Sequence, residues 1–233
     1  MEKHVHEILK KQVVEAAREI YARGLVVFGE GNVSVRVPDA DEFFITPTLN
    51  DYESISKEDV VHLRFDGTKL SLGKDASSEY RLHAALYEAR RRVNCVVHTH
   101  SPYVSMLATA RKEIPVLFEE MVIFLGGKVP VCEFGRANTE EVATTVLAGM
   151  GRKNAAMMAN HGMVAVGRTT SQAVKTAERV EKMARVYWGA LQVGQVHTVE
   201  ATACAQFKEK FREFFATYDD EGAERERKEN RKE

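Results

Sequence analysis

The run Cys95-Val96-Val97-His98-Thr99-His100-Ser101-Pro102 constrains this chain more than any other segment. Its short apolar stretch reads as a buried strand, and the proline two residues beyond His100 closes it. Side chains alternate along a strand, so His98 and His100 point to the same face and can share one ion. A third histidine stands in Ala159-Asn160-His161-Gly162, again beside an apolar run. Neutral imidazole is a common ligand for zinc and similar metals, and three imidazoles without a thiolate suit a catalytic ion with an open position.

A buried strand needs neighbours, and the sequence supplies them. Apolar positions Val5, Ile8, Leu9, Val13, Ala16, Ala17 and Ile20 recur at helical spacing and predict a helix from about Glu2 to Arg23, with Gly24 as its C-cap. Val33–Val37 alternates as a half-buried strand, and Phe43–Thr46 predicts a second one stopped by Pro47. Val60–Phe65, the Asp66-Gly67 turn and Lys69–Leu72 read as a hairpin. A helix is expected from Ser78 to Arg92, with serine as N-cap and Glu79 in the first turn.

Beyond the His-x-His strand, a short helix is expected near Tyr103–Ala110 and a strand over Val129–Phe134. A helix over Thr139–Met150 should be capped by Thr139. Ala155–Met158 and Met163–Val166 should be strands flanking Asn160-His161-Gly162, and helices should follow over Ser171–Gly194 and Ala205–Phe215. The turn-joined strands near the start disfavour a purely parallel sheet. The expected fold class is therefore α/β: a single domain over 1–218 with a mixed or antiparallel central sheet flanked by helices. Residues 219–233 are almost entirely charged or small and read as a disordered tail or frayed helix end.

Cys95, Cys132 and Cys204 are isolated, so neither a disulfide framework nor a Cys-x-x-Cys knuckle is available. Cys95 and Cys132 read as small buried hydrophobes. The amphipathic character of the first segment argues against a signal peptide, and no apolar stretch is long enough to span a bilayer. The cytoplasm is the expected compartment. With a formal net charge of -1, no global field asks for nucleic acid or an anionic membrane.

Glu79 is the carboxylate best placed for chemistry, because its helix leads directly into the His98/His100 strand. Helix N-termini bind anions, so Ser77 and Ser78 are candidates to hold an anionic substrate group, with Glu79 as base or fourth ligand. Asn32, Ser34 and Thr46-Pro47-Thr48 add further donors on turns, each weak alone.

The order Gly-Asn-x-Ser, Ile-Thr-Pro-Thr, Ser-Ser-Glu, His-x-His-Ser and Asn-His-Gly resembles the class II aldolase/adducin superfamily, most nearly its zinc-dependent L-fuculose-phosphate aldolase group. The likeness runs from the first helix to about Tyr218. It implies His98, His100 and His161 as metal ligands, and Glu79 as acid/base that also approaches the metal. Asn32, Thr48, Ser77 and Ser78 become the phosphate-holding positions. Tyr218 becomes the counterpart of a catalytic tyrosine that reaches a neighbouring subunit's site in a fourfold homotetramer.

Two departures stand out. Leu49 follows Thr48 where the family often has glycine, and leucine does not freely take glycine's dihedrals. Glu120 stands where the fuculose-phosphate enzymes carry a tyrosine lining the aldehyde site. The resemblance implies one divalent ion per subunit, zinc first, with manganese, cobalt or iron(II) compatible with the ligand type. The expected reaction is cleavage of a phosphorylated ketose to dihydroxyacetone phosphate and a small aldehyde. Sugar-phosphate 4-epimerase, methylthioribulose-phosphate dehydratase and keto-acid decarboxylase activities share the fold, though the epimerases usually carry aspartate at position 79. A non-catalytic adducin-like binding domain would lack a working metal site.

Overall fold

A computed structural model describes residues 2–49 and 51–218; the tail read from the sequence at 219–233 lies outside the described residues. The chain runs α1 (Glu2–Ala22), β1 (Asn32–Arg36), β2 (Glu42–Ile45), β3 (Val61–Arg64), α2 (Tyr80–Ala89), β4 (Cys95–Thr99) and α3 (Pro102–Thr109). It continues through α4 (Glu119–Leu125), β5 (Val131–Cys132), α5 (Glu140–Met150), β6 (Ala155–Met158), β7 (Gly162–Gly167), α6 (Thr170–Val193) and α7 (Ala201–Lys210), which ends in a π-helical turn at Phe211–Phe215. No helix among the described residues is long and apolar enough to cross a membrane.

The sheet has seven strands in the order β3-β2-β1-β4-β7-β6-β5. Every pairing is antiparallel except β5 with β6, whose crossover is α5. The expected mixed α/β architecture is therefore the one observed. Strand β4 lies at the centre, between β1 and β7. Its five residues are all buried, which is why a continuous apolar run, rather than an alternating one, encodes it.

Alternation divides the core into two layers. Cys95, Val97, Met157, Met163 and Ala165 pack with α1, α3 and α6, while Val96, Ala156, Met158, Val164 and Val166 pack with α2 and α5. Burial of each such valine contributes about 1.5–3 kcal/mol. The parity of Val96 carries His98 to the α2 side of the sheet. That single fact positions the site.

Three sequence expectations need correction. Lys69–Leu72 is not a strand: beyond a bridge from Lys69 to Leu63, it is tied to β3 by Arg64 N–H to Thr68 and Leu70 N–H to His62. The expected strand over Val129–Phe134 contracts to Val131–Cys132, because Val129 spends its N–H and carbonyl on Ile114 and Pro130 has no N–H. Segment 119–125, for which the sequence assigns no element, is a helix stopped by Gly126 at φ +88°. The final helix starts at Ala201 rather than Ala205, and Phe211–Phe215 winds into the π turn.

Candidate metal centre

The start of α2 departs from the serine cap expected of it. Glu79, not Ser78, occupies the N-cap position, and no side chain caps the helix. Tyr80 N–H instead reaches the Ser77 carbonyl at 3.1 Å. Freed from capping, the Glu79 carboxylate turns toward the end of β4. Its Oε2 lies 3.1 Å from His98 Nε2, and its Oε1 lies 3.1 Å from His161 Nε2. His98 Nε2 and His100 Nε2 are 2.9 Å apart. One ligand atom from each of Glu79, His98, His100 and His161 falls within 4.8 Å of the others. The four residues named from the sequence as metal ligands are thus brought together.

Two of these candidate ligands are held by local devices. His98 Nδ1 donates to the Met163 carbonyl at 2.8 Å, which leaves the Nε2 lone pair facing the cluster, the usual outer support for a metal-binding histidine. His161 sits on the tight β6–β7 turn, where Asn160 takes φ +53° and its side-chain oxygen accepts from Arg111. Gly162 follows because the chain passes against Thr99: a Cβ there would lie 2.2 Å from the Thr99 carbonyl oxygen.

Burial works to raise the Glu79 carboxyl, but the His98 and His161 imidazoles overcome it and hold the group below the usual carboxylate range. Burial likewise works against a charge on His98, yet Glu79 raises that imidazole above its ordinary value. His100 is lowered to about 4 by burial and by the two neighbouring imidazoles. A cation fits this geometry. Glu79 Oε1 is buried with no hydrogen-bond partner, although His161 Nε2 stands 3.1 Å away. Two imidazole nitrogens also face each other across the same space. A carboxylate oxygen and three imidazoles form a borderline N/O donor set suited to zinc and its divalent neighbours.

The positions expected to hold phosphate line up beside this cluster. Asn32 Nδ2 donates to Glu79 Oε2 and to Ser77 Oγ, both at 3.0 Å. Pro47 bridges Ala76, and Thr48 N–H bonds the Asp75 carbonyl at 3.0 Å, so the Thr48 and Ser77–Ser78 segments run side by side. Thr48 and Ser78 are exposed, whereas Asn32 and Ser77 are buried. Leu49, at φ +50°, adopts the left-handed conformation that a glycine would take, at a cost of about 1–2 kcal/mol, with its side chain 96% exposed.

Two other candidates lie away from the cluster within one chain. Tyr218 packs against the Phe211 ring at 6.2 Å and beneath the Arg152 guanidinium at 5.2 Å. Its neighbour Thr217 donates to Asn154 Oδ1 at 2.9 Å, beside the start of β6, whereas His161 follows that strand's other end. Glu120, in the first turn of α4, pairs with Lys182 of α6 at 3.1 Å. Sequence reasoning missed His83 and Tyr87, which follow Glu79 at intervals of four and sit behind Asn32. That spacing was the available signal.

A mostly antiparallel sheet ending in a carboxylate–histidine cluster that could hold a metal defines the class of α/β protein to compare this chain with. Residues 11–188 match the family described as the class II aldolase and adducin N-terminal domain, and the chain belongs to that family. It is an enzyme of the carbon–carbon lyase type. It is 33% identical to the 5-methylthioribulose-1-phosphate/5-deoxyribulose-1-phosphate aldolase of Rhodospirillum rubrum, over 88% of this chain and 92% of that protein. It is 29% identical to the L-fuculose phosphate aldolase of Escherichia coli K12, over 79% and 85%. A solved L-fuculose 1-phosphate aldolase superposes with a TM-score of 0.83 at 26% identity, covering 88% of this chain and 96% of the other.

Proposed function

We propose that this enzyme is a divalent-metal aldolase that cleaves a ketose 1-phosphate between C3 and C4, giving dihydroxyacetone phosphate and a small aldehyde. The observation that carries the reading is the convergence of Glu79, His98, His100 and His161 around a buried carboxylate oxygen that lacks a partner. A 5-deoxypentulose 1-phosphate, with or without a sulfur substituent at C5, is the preferred substrate, because relatives of that description match nearly the whole chain. L-Fuculose 1-phosphate is the second reading, supported by the superposed structure. Both share the phosphorylated half and differ only in the aldehyde.

Bound at the three imidazoles, a divalent ion, zinc first, would supply Lewis-acid stabilisation of the electron density left when the bond breaks. The protein's own groups do the rest. Asn32, Thr48, Ser77 and Ser78 hold the phosphate and so fix the orientation of the reacting carbons. Glu79, kept ionised by its imidazole neighbours, carries the proton to and from C3. Tyr218, presented by a second copy within a homotetramer, takes the proton from the C4 hydroxyl as that oxygen becomes the aldehyde carbonyl, and returns it in the reverse reaction. Three isolated free cysteines, all buried, accord with a cytoplasmic enzyme.

The test is direct. Metal-loaded protein is incubated with 5-deoxyribulose, methylthioribulose, fuculose and rhamnulose 1-phosphates, and dihydroxyacetone phosphate is detected through glycerol-phosphate dehydrogenase. Its absence with all four rejects the reading. Glu79→Gln should abolish turnover while bound metal stays near the wild-type stoichiometry; loss of metal instead would make Glu79 chiefly a ligand.

A further inference from the structure

Two ladders of polar side chains meet in the layer between β1 and α2. Strand β1 offers Asn32 and Ser34 two residues apart, hence on one face, and their pairing with His98 and Val96 sets that face toward α2. From the helix side come Glu79, His83 and Tyr87, four residues apart and therefore stacked on one face. Asn32, Ser34, His83 and Tyr87 are each at most 2% exposed. They form an unbroken chain. Tyr87 OH lies 2.6 Å from Ser34 Oγ, which lies 2.6 Å from His83 Nδ1. His83 Nε2 meets Asn32 Oδ1, and Asn32 Nδ2 meets Glu79 Oε2 at 3.0 Å.

The direction of the chain follows from what each atom can do. An ionised carboxylate only accepts, so the Asn32 NH2 group must face Glu79. The other end of that amide, Oδ1, also only accepts, so His83 must donate to it from Nε2. Burial disfavours a charged imidazole, so the remaining ring nitrogen accepts. Nδ1 then takes the Ser34 proton, and Ser34 takes the Tyr87 proton. Were the Asn32 amide to turn over, its carbonyl oxygen would oppose the carboxylate. A bare buried contact would not prevent that rotation; a fixed donor behind the amide does.

We propose that His83 is a positioning residue for Glu79: held by Ser34 as the Nε2–H tautomer, it locks the Asn32 amide with its NH2 group on the Glu79 carboxylate. The carboxylate then enters every turnover in one orientation. This rests on the reading of Glu79 as the proton carrier. Neutralising the lock should lower the rate of proton transfer more than substrate affinity.

His83→Leu should remain folded, bind zinc at the wild-type stoichiometry and keep KM within about twofold, while kcat falls about tenfold or more. His83→Gln, whose amide nitrogen can donate to Asn32 Oδ1, should recover most of kcat. A leucine variant with wild-type kcat overturns the proposal, and so does a glutamine variant as slow as the leucine one. Nitrogen-15 NMR of the metal-free wild-type protein at neutral pH supplies a readout independent of substrate and of variant folding. It should find His83 protonated at Nε2 and bare at Nδ1; the opposite tautomer or a charged ring overturns the assignment. Inactivity of the wild-type enzyme toward every ketose phosphate would instead reject the functional reading, leaving the tautomer to decide the role of His83.

Discussion

Replacing Gly162 with alanine would test how tightly the metal centre depends on the approach of β7 to β4. Gly162 opens β7 directly after His161, and an added methyl group would sit 2.2 Å from the Thr99 carbonyl oxygen and 3.0 Å from His100 Cδ2. Neither neighbour is the free end of a flexible chain. The first is backbone lying between His98 and His100, and the second is the ring of a candidate ligand. Relieving the clash requires the strand ends to separate by roughly 1 Å, an overpacking strain of about 2 kcal/mol. For a domain of this size that lowers Tm by roughly 4–8 °C. The displacement falls between His161 on one side and His98 and His100 on the other, so the donor atoms spread. A misplacement of about 1 Å can cost about a hundredfold in rate. Thermal melts of the metal-free protein, zinc titration calorimetry and kcat with the best ketose phosphate give the three readouts. Gly162→Ala with the wild-type melting temperature and zinc affinity would refute the claim that this contact sets the ligand geometry.

The same chemical change elsewhere should have the opposite sign. At Gly189, within α6, nothing lies within 4 Å of an added Cβ, so Gly189→Ala should stabilise by about 0.5–1 kcal/mol through helix propensity; a lowered Tm would contradict this. Acid stability provides another measurement. Burial lowers His83 to about 3 from its ordinary 6.5, so the unfolded chain binds the extra proton. The associated stability is complete above the unfolded value, near pH 6.5, and is lost as pH falls toward 3, amounting to about 2 kcal/mol by pH 5. Denaturant titrations at pH 7 and pH 5 should show that loss in the wild type and a smaller one in His83→Gln; equal losses would refute it.

Strand β4 was readable to the residue, because a fully buried strand writes its limits as an apolar run closed by proline. The helices α1, α5 and α6 were readable from apolar spacing and caps. Segment 119–125 was not, since its opening acidic pair resembles a loop until Phe118 and Gly126 are seen to bound one helical turn after another. The candidate metal cluster was legible because strand parity and short motifs carry its residues. The support behind them was not. Ser34 reads as a turn former until β1 is known to face α2, and His83 reads as an ordinary helical residue until its partner across the layer is placed. Nor could the sequence show that Leu49 accepts a left-handed backbone, because its cost is local and the surrounding loop, tied by Pro47 and Ala76, imposes it.

The central place of β4 has a consequence for how the enzyme would handle an ion at this cluster. With β1 zipped along one edge and β7 along the other, the His98 amide can exchange its hydrogen only through the largest opening the molecule undergoes. His161 lies on the turn between β6 and β7, outside the paired ladder, so its amide should exchange sooner. An ion bound there would therefore come and go past the turn while His98 stands still, and the emptied protein would keep part of the seat ready for the next.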